Sequence, residues 1–287
     1  MPKRKPQPPQ LDLSFARAAT LMMPTTNRWE FVLVGCGGTG SWLAPSIARV
    51  ASVLQEQGKE TAIWFVDPDH VEAKNIPRQN FCRAELGANK AATLAARFSA
   101  AWGVGINALG GPFNAARTTA RGHDWTTVLI GCVDNAAARK EIAKRLKENS
   151  AGSPHRTWWL DCGNTESAGQ VLFGSCADKR QLEGSFVGSK ICKALPGPAM
   201  VAPDLLKARP EERAKSKLSC AEIQLANAQS LAVNQQVAAI ATDYLVRITH
   251  GGLKRLGTWF DLESGSSRSR YITREGLADW LPAKEVA

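Results

Sequence analysis

No apolar run in this chain approaches the roughly 20 residues needed to cross a bilayer, so a membrane-spanning protein is not expected. The start, MPKRKPQPPQ, is basic and Pro-rich and lacks an apolar h-region, which argues against a secretory leader. A cytoplasmic location is the expectation that follows. Paired cysteine spacing is missing too. The seven cysteines are Cys36, Cys82, Cys132, Cys162, Cys176, Cys192 and Cys220, and no two are spaced as CxxC. A four-cysteine zinc site therefore has little support. Their odd number and their places inside apolar stretches favour reduced thiols over a disulfide framework. There is no internal repeat.

What is present fits a globular protein. With 287 residues, 44% hydrophobic and 22% charged, the chain can bury one large α/β core or two small ones. The formal net charge of +10 gathers in the first five residues, in Lys207 to Lys217 and in Arg268 to Arg274. Such a balance suits nucleic acid, an acidic partner, a nucleotide, or merely solvated tails. Composition does not choose among them.

Periodicity predicts alternating strands and helices. Phe31–Val34 is a short apolar strand, followed by a helix from Ser41 to about Gln57 with Pro45 in its first turn, where the missing N–H costs little. Ile63–Val66 is a second strand, so the unit is β-α-β with parallel strands. A helix over Asn89–Ala101, a strand at Val128–Ile130, a helix over Ala136–Glu148 and strands at Thr157–Asp161 and Gln170–Phe173 continue the pattern. Ala221 to about Thr249 is the longest helix, and Thr258–Leu262 with Arg270–Thr273 forms a terminal hairpin. The expected fold is α/β: a Rossmann-like, doubly wound, mostly parallel sheet with helices on both faces and a C-terminal β hairpin. Residues 1–27 read as a flexible, basic, Pro-rich arm with a short helix around Leu11 to Ala19, and 176–220 as a long mobile loop.

The chemistry begins where the first strand ends. Gly35, Gly37, Gly38 and Gly40 form G-x-G-x-x-G between strand and helix, a turn that brings backbone N–H groups and a helix N-terminus to a phosphate. Asp67 closes the second strand, where a carboxylate can accept ribose hydroxyls. These features fit a nicotinamide dehydrogenase equally well. The following stretch, with Asp67, Asp69, Val71, Asn75, Arg78 and Gln79, is one a dehydrogenase has no need of.

That stretch resembles the D-x-D-x-V and N-x-x-R-Q elements of the ThiF/MoeB/ubiquitin-activating family. Leu86-Gly87 with Lys90-Ala91 resembles its L-G-x-x-K-A, and Cys132-Val133-Asp134-Asn135 with Arg139 its C-x-D-N-x-x-x-R. Ser219-Cys220-Ala221-Glu222, leading to Gln235-Gln236, resembles its late segment, and past residue 150 the similarity is diffuse. The resemblance implies an adenylation domain over 28–287 that uses ATP and Mg²⁺ to activate the C-terminal carboxylate of a small ubiquitin-like or sulfur-carrier protein, as a homodimer. It implies that Asp67 holds the ribose, that Asn75, Arg78 and Lys90 meet the phosphates, and that Asp134 holds the metal. Plainer roles stand beside these: Lys90 as a solvated side chain, Asp134 as the cap of the helix from Ala136, Arg78 as a surface partner of Glu85.

Family members either pass the acyl-adenylate to a sulfur donor or capture it on a thiol. Cys192 and Cys220 are the candidate nucleophiles, the latter at a helix start near Lys215 and Lys217; the alternative is an inert thiol. Cys36, Cys132 and Cys162 read as packing residues. The family's CxxC zinc motifs are missing, and Arg17 is the best placed match for its N-terminal arginine that reaches the partner's ATP. The basic, Pro-rich start and compact length most resemble the ThiF-related proteins of the PRTRC cassette. Three rival readings remain: an NAD-dependent oxidoreductase, a non-catalytic nucleotide-binding regulator with affinity for DNA, and an enzyme that adenylates a small molecule or RNA base.

Overall fold

The computed structural model describes residues 13–115, 124–208 and 220–281, and the side chains of 220–230 lie outside that description. In chain order the strands are β1 (Thr20–Leu21), β2 (Arg28–Val34), β3 (Glu60–Val66), β4 (Ile106–Leu109), β5 (Trp125–Gly131), β6 (Thr157–Asn164), β7 (Ala168–Gly174), β8 (Phe186–Val187), β9 (Ile191–Cys192), β10 (Arg255–Asp261) and β11 (Ser266–Tyr271). The helices are α1 (Ser14–Arg17), α2 (Gly38–Glu56), α3 (Lys90–Trp102), α4 (Ala136–Arg145), α5 (Pro198–Val201), α6 (Cys220–His250) and α7 (Arg274–Leu277).

Eight strands form one sheet in the order β11-β10-β7-β6-β5-β2-β3-β4. From β4 to β6 neighbouring strands run parallel, and β7, β10 and β11 add an antiparallel flank. Alternation along each parallel strand sorts the core into two layers, because successive side chains leave opposite faces. Phe31, Leu33, Ile63, Phe65, Val128 and Ile130 pack under α2, α3 and α6. Val32, Val34, Val66, Leu129 and Trp159 meet Ile142 and Leu146 of the α4 segment on the other face. The crossover β2-α2-β3 runs one way from the centre and β5-α4-β6 the other. The sheet therefore changes winding between β2 and β5, whose carboxyl ends flank a crevice.

The doubly wound sheet and terminal hairpin match the expectation; three details differ. The helix after the glycine turn starts at Gly38, so Pro45 lies past its first turn. A proline there gives no hydrogen bond to the Ser41 carbonyl. That carbonyl instead accepts from Asn80 Nδ2 at 3.2 Å, and Ser41 Oγ accepts from Asn80 N at 2.9 Å, so the helix's gap becomes the anchor of the following loop. Residues 13–27 hold the expected short helix as α1 and, beyond the expectation, the strand β1, which pairs in parallel with β9. Ala19 N and Leu21 N donate to Ile272 O and Leu253 O at 2.8 and 2.7 Å, tying this segment to the C-terminal strands. Residues 176–208, expected as loop, hold β8, β9, α5 and two 3₁₀ turns. The expected flexibility of 1–12 and mobility of 209–219 lie outside the described residues, as does most of the basic stretch to Lys217.

Candidate functional site

The turn between β2 and α2 is shaped by what side chains would hit. Gly35 has φ +89°, and a Cβ there would lie 2.5 Å from Cys132 O. A Cβ on Gly40 would lie 1.9 Å from Gly35 O, and one on Gly38 would lie 2.7 Å from Asn234 Oδ1. These three glycines let α2 start directly against β5 and α6. Gly37 differs, for a Cβ there would meet only Gln79 Nε2, at 3.7 Å. There the cradle is open, over the N-terminus of a helix of 19 residues.

Asp67 ends β3 and closes the turn from beneath. Its Oδ2 accepts from Cys36 N at 2.6 Å and its Oδ1 from Asp69 N at 2.8 Å. Burial pushes this carboxyl above its ordinary value, against the pull of those two N–H groups and of Lys90. Asp67 thus holds the turn together, while Asp69 presents the exposed carboxylate, its side chain 66% accessible. Lys90 opens α3 with its side chain only 6% accessible and its Nζ 3.1 Å from Asp69 Oδ2. A solvated surface lysine is therefore ruled out. Asn89 caps the same helix by accepting from Ala92 N, and its Nδ2 donates to the carbonyls of Asp67 and Asp69.

Asn75 is buried, and its Oδ1 accepts from Glu72 N at 2.9 Å. Its carbonyl accepts from Arg78 N and Gln79 N at 3.1 and 2.8 Å. It is thus the brace of the loop that carries Arg78. Arg78 is half-buried and forms no ion pair among the described residues; Glu85 pairs instead with Arg97. Trp42 Nε1 and Asn234 Nδ2 donate to the Arg78 carbonyl at 3.2 and 3.4 Å. Gln79 is 6% exposed, and its Oε1 has no hydrogen-bond partner among the described residues.

Beyond β5, Asp134 is exposed at the crevice. The helix cap next to it is Asn135, whose Oδ1 accepts from Ala138 N at 2.9 Å, so Asp134 does not serve as the cap. Arg139 is buried and bonds Asp161 through Nε at 3.1 Å. Its place in the motif is thus explained by the joint between α4 and β6. Cys192, expected in a mobile segment, is fully buried in β9 and its thiol donates to Ala194 O at 3.1 Å. Burial against a carbonyl removes the access that a nucleophile needs. Cys220 begins α6, and its thiol is outside the described side chains. Arg17 is exposed at the end of α1.

One central residue escaped the motif reading. Asn234 on α6 is 1% exposed, and its Oδ1 accepts from Asn164 Nδ2 at 2.6 Å and from Thr39 Oγ1 at 3.2 Å. It links α6, β6, the glycine turn and the Arg78 loop. Its neighbours Gln235 and Gln236, which the motif reading singled out, are exposed. The available signal was an amide at the helical spacing of the apolar residues Val233, Val237, Ala238 and Ala241.

The switch-point crevice and glycine turn define a doubly wound α/β protein of the Rossmann type. Within that class the chain belongs to the ThiF family, which it matches over residues 12–247. Among solved structures it is similar to PaaA, with 18% identity over 91% of this chain and 67% of that one, TM-score 0.53. It is also similar to E. coli MccB crystallised with ATP, with 13% identity over 85% of this chain and 64% of that one, TM-score 0.53. E. coli MccB with AMPCPP and MccA gives 12% identity, 91% and 66%, and a TM-score of 0.53. At such identities the likeness is one of fold, and the chain spans about two thirds of the length of these structures. No curated protein matches it. Among the described residues no helix is long and apolar enough to cross a membrane.

Proposed function

We propose that this chain uses ATP and Mg²⁺ to adenylate the C-terminal carboxylate of a small ubiquitin-like or sulfur-carrier protein. The observation that carries the reading is the crevice itself. An open glycine turn at a helix N-terminus faces a buried lysine and a buried amide oxygen, Gln79 Oε1, with no partner among the described residues. The donor set fits a nucleoside triphosphate: backbone N–H groups and Lys90 for phosphate oxygens, Gln79 Oε1 and the Asp69 carboxylate for hydroxyl or amine donors. Family membership and the crystals of MccB with ATP support it.

Residue roles follow from the contacts. Asp67 and Asn75 shape the loops from below, whereas Asp69, Arg78 and Lys90 present the charge. Asp134 would hold Mg²⁺, and a hard cation with oxygen ligands supplies charge neutralisation on phosphates. Arg78 supplies a planar, permanently charged fork for the same oxygens. A thioester step, in which a thiol displaces AMP from the activated carboxyl, falls to Cys220 at the start of α6. The basic, Pro-rich N-terminal segment supports a place among PRTRC-type ThiF proteins, and a homodimer in which Arg17 reaches the partner's nucleotide completes the reading.

The test is Mg²⁺-dependent exchange of pyrophosphate into ATP, stimulated by a small protein ending in glycine and abolished by Asp134→Ala. Absence of exchange with ATP, such a protein and every divalent metal tried overturns the proposal. Stabilisation by NAD(H) but not by ATP in thermal unfolding redirects it to an oxidoreductase.

A further inference from the structure

Two cysteines sit side by side under the glycine turn. Gly131, the last residue of β5, is in register with Asp161 on β6, and the residue after each is a cysteine, Cys132 just past β5 and Cys162 within β6. Both belong to the core layer under α2 and α6, so their side chains leave the same face of the sheet. Neighbouring strands lie about 4.7–4.9 Å apart, within the roughly 4.4–6.8 Å that a disulfide spans between Cα atoms. Their exposures differ, since Cys132 is half-buried and Cys162 only 3% exposed. Cys132 is also the surface on which the turn rests: its carbonyl oxygen lies 2.5 Å from where a Cβ of Gly35 would be, and its Cβ 3.3 Å from that of Gly40.

We propose that Cys132 and Cys162 form an oxidation-sensitive dithiol that closes to a disulfide and deforms the glycine turn above it. The oxidant is a peroxide. The Cys132 sulfur attacks one peroxide oxygen, the O–O bond breaks, and water leaves as Cys132 becomes a sulfenic acid. The Cys162 sulfur then attacks the Cys132 sulfur, the S–O bond breaks, and a second water carries off the remaining oxygen with the Cys162 proton. Two thiols lose two electrons and two protons, and the peroxide takes up both. Closing the bond imposes disulfide geometry on the ends of β5 and β6, with Cα atoms favouring about 5.5–6 Å, and so shifts the backbone under Gly35 and Gly40. The consequence for ATP rests on the nucleotide reading above; the cross-link does not.

The experiment uses the full chain carrying Cys82→Ser, so that the exposed thiol does not consume oxidant. It is treated with hydrogen peroxide, its free thiols are blocked, and its peptides are mapped by mass spectrometry. ATP affinity is measured before treatment, after it, and after dithiothreitol. The expected result is a Cys132–Cys162 linked peptide lacking two hydrogens and ATP binding weakened by about tenfold or more, restored by reduction. Adding Cys162→Ser leaves reduced-state ATP affinity unchanged and removes its sensitivity to oxidant. No linked peptide at saturating peroxide, or a linked protein that binds ATP as before, overturns the proposal. A linked peptide in a protein whose reduced form shows no ATP affinity upholds the dithiol and overturns the nucleotide reading.

Discussion

Gly40→Ala puts the geometry of the turn to its hardest test. The added Cβ would sit 1.9 Å from the Gly35 carbonyl oxygen and 2.9 Å from its carbonyl carbon, both backbone atoms with no rotamer to change. Regaining about 3.0 Å, below which real Cβ atoms essentially never fall, needs a shift of at least about 1.1 Å between helix and turn. Gly40 is buried between Gly35 and Cys132, so α2 must lift away from β5 as a unit. Overpacking of this kind costs about 1–3 kcal/mol, read as a lower urea midpoint at unchanged slope. The functional loss is larger than the stability loss, because a displacement near 1 Å of the groups that position a reactant costs on the order of a hundredfold. Pyrophosphate exchange should therefore fall about a hundredfold in a protein that still unfolds cooperatively. Gly105→Ala is the matched control, since nothing lies within 4 Å of its added Cβ, and it should change stability by less than about 0.5 kcal/mol. Wild-type exchange in Gly40→Ala, or equal effects of the two substitutions, refutes the close-approach argument.

Three further outcomes follow from named contacts. Asn234→Ala removes the acceptor of Asn164 and Thr39 and a donor to Arg78 O; it should cost about 1–3 kcal/mol in urea unfolding and raise the KM for ATP, whereas Gln235→Ala should leave both unchanged. Arg139→Leu removes the Nε donor from a fully buried Asp161 carboxylate and should cost about 3–5 kcal/mol by chemical denaturation; a variant as stable as wild type contradicts the buried pairing. Asp67 titrates above its ordinary value in the folded state because of burial. Its protonation therefore favours the fold, a contribution complete below the unfolded carboxylate range and lost as pH rises through the folded value. Urea titrations across that window should show wild type losing stability relative to Asp67→Asn with rising pH, and parallel curves contradict the assignment.

The sheet was legible because burial on both faces leaves continuous apolar runs, as in Phe31–Val34 and Val128–Ile130, and because each ended in glycine or aspartate. The short strand β4 was not legible: Ile106–Leu109 is exposed over most of its length and carries no burial pattern. β1, β8 and β9 have two residues each, too few for any period to show. The pairing of β1 with β9 joins positions about 170 residues apart, such as Thr20 with Ile191. For the candidate site, the motif named residues without showing what each side chain touches. Only tertiary contacts could reveal that the Asp67 carboxylate is taken up by backbone N–H groups and that Cys192 is sealed into a strand.

That division of duties explains why the motif is so dense in a few residue types. The loop that carries Arg78 leaves the carboxyl end of β3 and is pinned to the core at Val71 and Phe81, and between and beyond these anchors polar side chains fix it. Asn75 holds the backbone of Arg78 and Gln79, Asn80 fastens the same loop to the carbonyl left free by Pro45, and Asn234 clamps it from α6. Asn234 donates and accepts through its amide, which a carboxylate or an amine cannot do, while Asn80 donates through Nδ2 to Ser41 O and Asn75 accepts at Oδ1 from Glu72 N besides holding the loop through its main-chain carbonyl. The charged residues stand between the braces. Replacing a brace should therefore disorder the loop and weaken nucleotide binding without changing net charge, whereas replacing Arg78 should remove charge and leave the loop intact. The salt dependence of ATP affinity separates the two: it should flatten for Arg78→Gln and keep its wild-type slope for Asn75→Ala.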